Sequence, residues 1–356
     1  MKILISKETG LALIYLAAFF EDLLIQVYNV DMSICISSKQ DSIFRRELHR
    51  FSLLTRLTSL IFASLILILS LVGCSVKNQY KELENVIYDS EGNYECLFDG
   101  RTRRFVVVVP AGATSDSPLL FMLHGASGTS DGFMLQTDMN EVASDRGFVL
   151  VYPQGVGEKE GTSSAMGWNN NLSSEEGNDD VGFITAIAQY IEDILGYGKT
   201  SRALLGFSNG GFLAYRIAIE RPELFDAIIS VCGTIMPSVW DEKSNSRDSN
   251  DPPISILQIN GTEDDVVPLD DASIYGGRTP HMDKIIEYWI DFLDLDQESA
   301  ISLSDIVTAT TYYSSTSRNR FTYVLIDGGR HSWPDSSSVG FDVRTFILDY
   351  CESSFS

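Results

Sequence analysis

Histidine is scarce in this sequence, because the 356 residues contain only 4, together with 5 cysteines. Zinc and iron–sulfur centres are built mainly from these two residue types, so the composition predicts no metal site. Basic residues are also few: 26 Lys and Arg stand against 49 Asp and Glu, for a formal net charge of −23. A surface of that sign repels a phosphate backbone, which argues against nucleic acid as a partner.

A long apolar run is missing too. Residues 57–72 carry no charge, but this run is shorter than the roughly 20 residues that a membrane-spanning helix needs. Arginines precede it at positions 45, 46, 50 and 56, and small residues follow it. A basic stretch, a short apolar stretch and a small-residue stop are typical of a secretory signal. Residues 71–74, Leu-Val-Gly-Cys, resemble the bacterial lipobox, which implies cleavage before Cys74 and acylation of its thiol.

These features predict three segments. Residues 1–73 are an N-terminal extension and lipoprotein signal peptide, residues 74–90 are the lipidated cysteine and a polar tether, and residues 91–356 are the folded, catalytic domain. The predicted location is outside the cytoplasm, as a membrane-anchored lipoprotein in the periplasm or on the cell surface, or as an extracellular protein. Two alternatives stay open: a short transmembrane anchor in place of the signal, and a start of translation at Met32.

Three cysteines remain in the predicted domain, at positions 96, 232 and 351. Three is an odd number, so at least one thiol has no partner within the chain. Cys232 ends an apolar run and is interpreted as a small core residue. An exported location permits a disulfide between Cys96 and Cys351, which lie near the two ends of the domain.

Apolar strands alternate with helices along the domain. The predicted strands are residues 94–98, 105–109, 119–123, 148–152, 203–205, 227–231, 254–259 and 321–326. The predicted helices are residues 131–146, 184–195, 212–220, 282–293 and 343–351. This alternation is typical of an α/β fold with a mostly parallel central sheet and helices on both faces. Asp99 and Gly100 favour a hairpin between the first two strands, which adds an antiparallel edge.

The strongest motif is Gly206-Phe207-Ser208-Asn209-Gly210. An apolar strand precedes it and a helical run follows it, which is the context of a nucleophile elbow in an α/β-hydrolase fold. The turn between the two elements is tight, so residues without a Cβ atom are needed on either side of the serine. The motif therefore predicts Ser208 as a nucleophile raised above the sheet.

A serine hydroxyl is a poor nucleophile unless a base takes its proton, and only three histidines lie in the domain. In α/β-hydrolases the order along the chain is serine, acid, histidine, so His124 is excluded as the base. His281 begins a charged helical segment and is interpreted as a surface residue. His331 follows a strand through a glycine-rich loop, where ligands approach such sheets, and is the predicted base.

The third member should be a carboxylate that follows another strand and precedes His331. The strand at residues 254–259 leads into three adjacent acids, Glu263, Asp264 and Asp265. Neighbouring residues of a loop point in different directions, so only one of them should meet the imidazole and hold its tautomer. Spacing alone does not choose among the three.

Six motifs occur in a fixed order: Leu123-His124-Gly125, Trp168-Asn169, and residues 179–184, 206–211, 261–268 and 328–334. Through them residues 90–350 resemble the extracellular serine esterase family that includes polyhydroxybutyrate depolymerases, feruloyl esterases and acetylxylan esterases. The resemblance implies an α/β-hydrolase fold and ester hydrolysis, and it places the acid at Asp264. Two positions depart from the family pattern, with Asn260 in place of a histidine and Arg330 in place of a glycine. Neither is a member of the triad.

Ester hydrolysis also needs two backbone N–H groups aimed at the developing oxyanion. One is expected from Asn209, directly after the nucleophile, and the other from the loop at residues 124–128. The resemblance points to Ala126 for the second. The loss of one such donor typically costs about 3 kcal/mol of transition-state stabilisation.

Several further residues allow two interpretations. Asp179 and Asp180 could form an acid pair or a metal site, but their place at the start of a helix favours capping of free N–H groups. Trp168, Trp333 and His124 are candidate substrate-binding residues, and each could instead pack or organise a loop.

The sequence therefore predicts a lipid-anchored serine esterase that forms an acyl-enzyme and acts on feruloyl or acetyl esters of plant polysaccharides. No metal or organic cofactor and no obligate protein partner is predicted, and the membrane is contacted only through the N-terminal lipid. The alternatives are a polyhydroxyalkanoate (poly-3-hydroxybutyrate) depolymerase or oligomer hydrolase, a serine peptidase on the same fold, and a non-catalytic surface binding protein.

Overall fold

The computed structural model describes residues 81–157, 166–170, 177–199, 201–243, 252–270, 273–274 and 277–355. These residues belong to one unit, Tyr80–Ser356. The predicted signal peptide, the predicted lipidation site Cys74 and the first part of the tether lie outside the described residues.

The described strands form one large sheet and one small one. The strands are β1 Glu84–Tyr88, β2 Asn93–Phe98, β3 Arg101–Val108, β4 Leu119–Leu123, β5 Val149–Pro153, β6 Arg202–Phe207, β7 Ala227–Val231, β8 Ser255–Gly261, β9 Ser273–Ile274, β10 Gly277–Arg278, β11 Gln297–Ser304, β12 Val307–Tyr313 and β13 Arg320–Ile326. The large sheet has 11 strands in the order β1-β2-β3-β5-β4-β6-β7-β8-β13-β12-β11. The pair β9 and β10 forms the small sheet.

The α-helices lie between these strands in the chain. They are α1 Ser130–Thr137, α2 Met139–Asp145, α3 Asp180–Tyr190, α4 Asn209–Glu220, α5 Pro237–Lys243, α6 Met282–Phe292, α7 Ser336–Val339 and α8 Val343–Ser354. A π-helical turn, Ile191–Leu195, extends α3, and a 3₁₀ turn, Pro222–Leu224, follows α4. Within the described ranges, no helix combines the length and the apolar character needed to span a bilayer.

The centre of the large sheet is parallel. Each neighbouring pair from β5 through β4, β6, β7 and β8 to β13 runs parallel. All five residues of β4 are buried, and alternate side chains enter two different apolar clusters: Phe121 packs in one and Met122 in the other. A strand that is buried on both faces needs helices on both sides, as the alternating sequence pattern predicted. The predicted α/β-hydrolase class with a mostly parallel sheet is confirmed.

Antiparallel strands extend both edges of this parallel centre. The predicted hairpin at one edge is present as β2 and β3, and β1 continues it outward. Strand β1 lies within residues 74–90, so the sheet includes residues that the sequence analysis assigned to the tether. At the other edge β12 and β11 continue antiparallel from β13. Sequence reasoning missed these two strands, because β11 is exposed or half-buried throughout and lacks an apolar alternation.

The helix predicted at residues 131–146 is two helices in the structure. Asp138 adopts the left-handed conformation, with φ 47° and ψ 38°, and its N–H donates to the carbonyl of Met134. A left-handed residue ends a helix, so α2 starts in a new direction one residue later.

The cysteine pair proposed from the sequence does not form. Cys96, Cys232 and Cys351 all carry free thiols and are buried. Cys96 belongs to the apolar cluster on one face of the sheet and Cys351 to the cluster on the opposite face. Because the sheet separates them, closeness to the two ends of the domain does not bring their sulfur atoms together. The interpretation of Cys232 as a buried residue is confirmed.

Candidate active site

Ser208 stands in a strained turn between β6 and α4. Its backbone has φ 51° and ψ −116°, a conformation that a non-glycine residue adopts at a cost of about 1–3 kcal/mol. A Cβ atom at Gly206 would overlap the carbonyl group of Gly210, and one at Gly210 would overlap the carbonyl oxygen of Leu123. Backbone atoms cannot move aside, so both flanking positions require glycine. The predicted elbow geometry is present, and Ser208 is only half-buried.

Three side chains from different strand ends form one hydrogen-bonded chain. Ser208 follows β6, Asp264 follows β8 and His331 follows β13, and all three lie beyond the carboxyl ends of parallel strands. Ser208 Oγ lies 2.8 Å from His331 Nε2, and His331 Nδ1 lies 2.8 Å from Asp264 Oδ2. A carboxylate only accepts, so Nδ1 carries the proton and Nε2 is free to accept one from the serine.

The environment of Asp264 keeps its carboxyl group charged. Its side chain has no exposed surface. Burial raises the pKa of Asp264, but the hydrogen bonds from His331 and from the N–H groups of Val267 and Val266 outweigh it, so the pKa lies below the ordinary value of 3.8. Those two N–H groups bind Asp264 Oδ1 at 2.8 and 3.0 Å, which leaves Oδ2 for the imidazole.

Of the three acids that spacing alone left open, the structure sets Asp264, which the family resemblance indicated, against the imidazole. Glu263 and Asp265 are exposed, and Glu263 faces Arg330 at 3.7 Å. The side chain of Arg330 is 78% exposed, so this position has room for a side chain where the family pattern has a glycine. His281, the alternative base, caps the N-terminus of α6, and its Nε2 lies 2.8 Å from Asp270 Oδ1.

The two predicted oxyanion donors follow neighbouring strands, because Asn209 comes directly after Ser208 and Ala126 comes after β4, the strand beside β6. Asn209 is the first residue of α4, where a backbone N–H has no partner within the helix. Ala126 lies in the exposed loop after β4. A Cβ atom placed on Gly167 would lie 2.9 Å from Asn209 Oδ1 and 3.8 Å from Ala126 Cα. Gly167 thus lies between the Asn209 side chain and the backbone of Ala126, and the N–H groups of Asn209 and Ala126 stay the predicted oxyanion donors.

The segment at residues 166–170 holds Asn209 in place. The N–H of Trp168 donates to Asn209 Oδ1 at 2.7 Å, and Asn170 Nδ2 donates to the Asn209 carbonyl at 3.0 Å. Trp168 is fully buried, and its indole N–H donates to the carbonyl of His124 at 2.8 Å. It has no surface with which to contact a substrate, so its role is to join two loops.

His124 is likewise an organiser of the loop rather than a substrate contact. It is 1% exposed, and its Nδ1 lies 2.8 Å from the carbonyl of Gly125. The Gly155 N–H donates to its Nε2 at 2.9 Å, so Nε2 is unprotonated and the neutral ring carries its proton on Nδ1. Burial lowers the pKa of His124, although the hydrogen bond to Gly125 opposes this.

This arrangement predicts a loss of stability in weak acid. A histidine with a depressed pKa contributes stability above its unfolded pKa of about 6.5, and this contribution is lost as the pH falls below that value. As the pH falls from 6.5 to the folded pKa of His124, we expect this residue to reduce the free energy of unfolding by up to about 1.4 kcal/mol per pH unit. Urea unfolding of wild type and His124→Gln from pH 7 to pH 5 measures the difference. Equal slopes for the two proteins would contradict the prediction.

Trp333 packs against other aromatic rings near the imidazole. It is 9% exposed and lies edge-on to Phe133 with ring centroids 5.7 Å apart. Phe207 stacks against Phe133, and its ring centroid lies 5.5 Å from the centroid of the His331 ring. Most of the Trp333 surface therefore supports the histidine loop, and little of it is open to a substrate.

Asp179 and Asp180 have different roles. Asp179 caps α3 as predicted, because its Oδ1 accepts the N–H of Gly182 at 2.8 Å. Asp180 does not act as a cap: it is fully buried, contacts Arg103 at 2.7 Å and accepts the N–H of Asn169 at 2.6 Å. Sequence reasoning missed this ion pair, since its two residues lie 77 positions apart. It ties β3 to the segment that holds Asn209.

Metal-ligating side chains converge once within the described ranges. The donor atoms of Cys232, Asp264 and His331 all lie within 4.8 Å of one another. Asp264 and His331 are hydrogen-bonded to each other through Nδ1, and the lone pair of His331 Nε2 faces Ser208 Oγ. The arrangement suits proton transfer from a serine, for which no metal is needed.

Parts of this chain are similar in sequence to known proteins. Residues 99–272 match the sequence model of a family described as "Putative esterase". A protein named "Putative esterase NocK", from Nocardia uniformis subsp. tsuyamanensis, is 30% identical over 200 residues, which cover 53% of this chain and 53% of that protein. Feruloyl esterase C of Emericella nidulans is 30% identical over 175 residues, which cover 47% of this chain and 57% of that protein.

A third relative is the Bifunctional acetylxylan esterase/xylanase XynS20E of Neocallimastix patriciarum. It is 27% identical over 168 residues, which cover 47% of this chain and 22% of that protein. The chain spans about half the length of the first two relatives. The matched residues 99–272 include Ser208 and Asp264, with His331 beyond them. Residues 99–272 therefore match an esterase family model, and the elbow and the parallel sheet are those of an α/β-hydrolase fold.

Proposed function

We propose that this protein is a serine carboxylic-ester hydrolase that acts through an acyl-enzyme on feruloyl or acetyl esters of plant polysaccharides. The observation that carries the proposal is the continuous chain of two 2.8 Å hydrogen bonds from Ser208 through His331 to Asp264. It ends at a half-buried serine, which is followed directly by Asn209, the first residue of α4.

In the acylation step, Ser208 Oγ attacks the ester carbonyl carbon while its proton passes to His331 Nε2. The carbonyl oxygen becomes an oxyanion, which the N–H groups of Asn209 and Ala126 stabilise. The tetrahedral intermediate then breaks its bond to the alcohol, and His331 returns the proton to the departing oxygen. Asp264 holds the imidazole in its tautomer and stabilises the transient imidazolium.

In the deacylation step the same groups act on water. His331 takes a proton from a water molecule, whose oxygen attacks the acyl carbon on Ser208. The second tetrahedral intermediate expels Ser208 Oγ, which recovers its proton from His331. The acid leaves, and the enzyme returns to its starting state.

The substrate class is proposed from the relatives' names. Feruloyl esterase C and the acetylxylan esterase both match across about half of this chain. Both names describe esters of plant cell-wall material. The proposal includes export, with the lipidated Cys74 as the anchor, because residues 45–75 have the order of charged, apolar and small residues of a lipoprotein signal.

A panel of substrates tests the proposal. Purified full-length protein is offered methyl ferulate, acetylated xylan, 3-hydroxybutyrate oligomers and a peptide amide, and kcat/KM is measured for each. We expect methyl ferulate or acetylated xylan to give the largest value. Faster cleavage of hydroxybutyrate oligomers would assign the protein to polyhydroxyalkanoates, and faster amide cleavage would make it a peptidase. Background rates on all four would favour the non-catalytic alternative.

A further inference from the structure

The loop that carries His331 is poorly supported on one side. Residues 329, 330, 332 and 334 line a cavity of about 270 Å³ together with Cys232 and residues from the ends of β7, β8 and β13. A cavity supplies no fixed packing, so few atoms oppose a shift of the loop in that direction. The histidine must nevertheless keep both of its 2.8 Å hydrogen bonds.

Cys232 is placed to provide the missing support. It follows β7, the strand between β6 of Ser208 and β8 of Asp264, so the fold sets it in the same row of strand ends as the triad. Its Sγ donates to the carbonyl of Ser332 at 3.6 Å, and the carbonyl of Arg330 lies 4.0 Å away. The thiol therefore contacts the backbone on both sides of His331.

The backbone of Cys232 shows that this contact is maintained at a cost. Its φ is 51°, in the left-handed region that favours glycine, while its N–H donates to the carbonyl of Ile259 at 2.8 Å. A glycine would relieve the backbone but would leave the loop without the sulfur. The left-handed turn directs the Cβ and Sγ atoms toward the histidine loop and Asp264.

The thiol is unsuited to a chemical role of its own. Burial, together with the charge of Asp264, raises the pKa of Cys232 to about 12, so the side chain stays a neutral thiol near pH 7. It therefore brings no second negative charge to the carboxylate, and it is a weak nucleophile. It can still pack and donate one weak hydrogen bond.

We infer that Cys232 is a positioning residue: its thiol braces the loop at residues 330–332 so that the His331 ring stays aligned between Ser208 and Asp264. The inference rests on the proposed function, because alignment matters only if the histidine transfers a proton. It explains why a free cysteine occupies this strained position. The Sγ atom of Cys232 lies within 4.8 Å of donor atoms of both Asp264 and His331.

Removal of the thiol should lower turnover without weakening substrate binding. We expect Cys232→Ala to reduce kcat about five- to tenfold, the value of one weak hydrogen bond, with KM within twofold of wild type. Cys232→Ser restores a donor and should recover part of that loss. Cys351→Ala is the matched control, since Cys351 is another buried free thiol in the same apolar cluster, and it should leave kcat within twofold.

A spectroscopic measurement separates alignment from general loosening. The proton between His331 Nδ1 and Asp264 Oδ2 should give a downfield ¹H resonance, which shifts or broadens in Cys232→Ala and persists in Cys351→Ala. If Cys232→Ala does not fold, Cys232→Gly replaces it, because φ 51° suits glycine. An unchanged resonance with unchanged kcat, or equal losses in both alanine variants, would overturn the inference. If wild type hydrolyses no ester, the proposed function fails, while the resonance still tests the position of His331.

Discussion

Replacement of Ser208 by alanine should lower kcat by about 10⁶-fold on whichever ester the wild type cleaves fastest. The change removes the atom that forms the acyl-enzyme, so neither the imidazole nor the carboxylate has a serine proton to move. What remains is the oxyanion hole and substrate binding, which typically accelerate a reaction about 10³–10⁴-fold over water. The measurement is kcat under saturating substrate, with circular dichroism to show that the variant is folded.

Ser230→Ala is the matched control for this experiment. Ser230 is a fully buried serine of β7, next to the elbow strand, and its hydroxyl has no hydrogen-bond partner among the described residues. Its removal should leave kcat within twofold. A fluorophosphonate should add one phosphonyl group to wild type and to Ser230→Ala, and none to Ser208→Ala. More than 1% residual kcat in Ser208→Ala would assign the nucleophile to another group.

Asp264→Asn should lower kcat by about 10⁴-fold with little change in KM. The structure explains which way the new amide would turn. The N–H groups of Val266 and Val267 already bind one oxygen of residue 264, so the single amide oxygen must take that place. The NH₂ group then faces His331 Nδ1 and forces the ring proton onto Nε2. A protonated Nε2 can no longer accept the proton of Ser208.

The two neighbouring acids are the controls that test this interpretation most directly. Glu263→Gln and Asp265→Asn change exposed side chains on either side of Asp264, and each should keep kcat within about threefold of wild type. A large loss in Asp265→Asn, with activity kept in Asp264→Asn, would show that the acid is not the residue that the structure places against the imidazole.

Local chemistry allowed much of the site to be read from the sequence. The elbow depends on glycines two residues before and two residues after Ser208, and those positions are visible without the fold. The scarcity of histidine made elimination possible, because only His281 and His331 follow both the serine and the acidic loop, and His281 begins a charged helical segment. The parallel centre of the sheet was also predictable, since strands buried on both faces are continuously apolar, as β4 is.

Other features depend on contacts between distant parts of the chain. Asp180 resembled a helix cap because capping is a local rule, whereas its partner Arg103 is set by the packing of β3 against α3. Strand β11 was missed because an edge strand exposed to water needs no apolar alternation, and β12 was missed because only Val307 and Ala309 of its seven residues are buried. The proposed Cys96–Cys351 pair failed because distance along the chain does not show which face of a sheet a side chain enters.

The sequence by itself predicted Ser208 as nucleophile and His331 as base, carried the family resemblance and determined the parallel core, because each follows from a short motif, an exclusion or a periodic pattern. Only the tertiary structure showed that Asp264, and neither acidic neighbour, contacts the imidazole, that Trp168 and His124 are buried, and that Cys232 lies beside the loop of His331. The physical reason is that a side chain's direction in a loop depends on which backbone donors and strand ends surround it. Those neighbours come from strands far apart in sequence that the sheet order brings side by side.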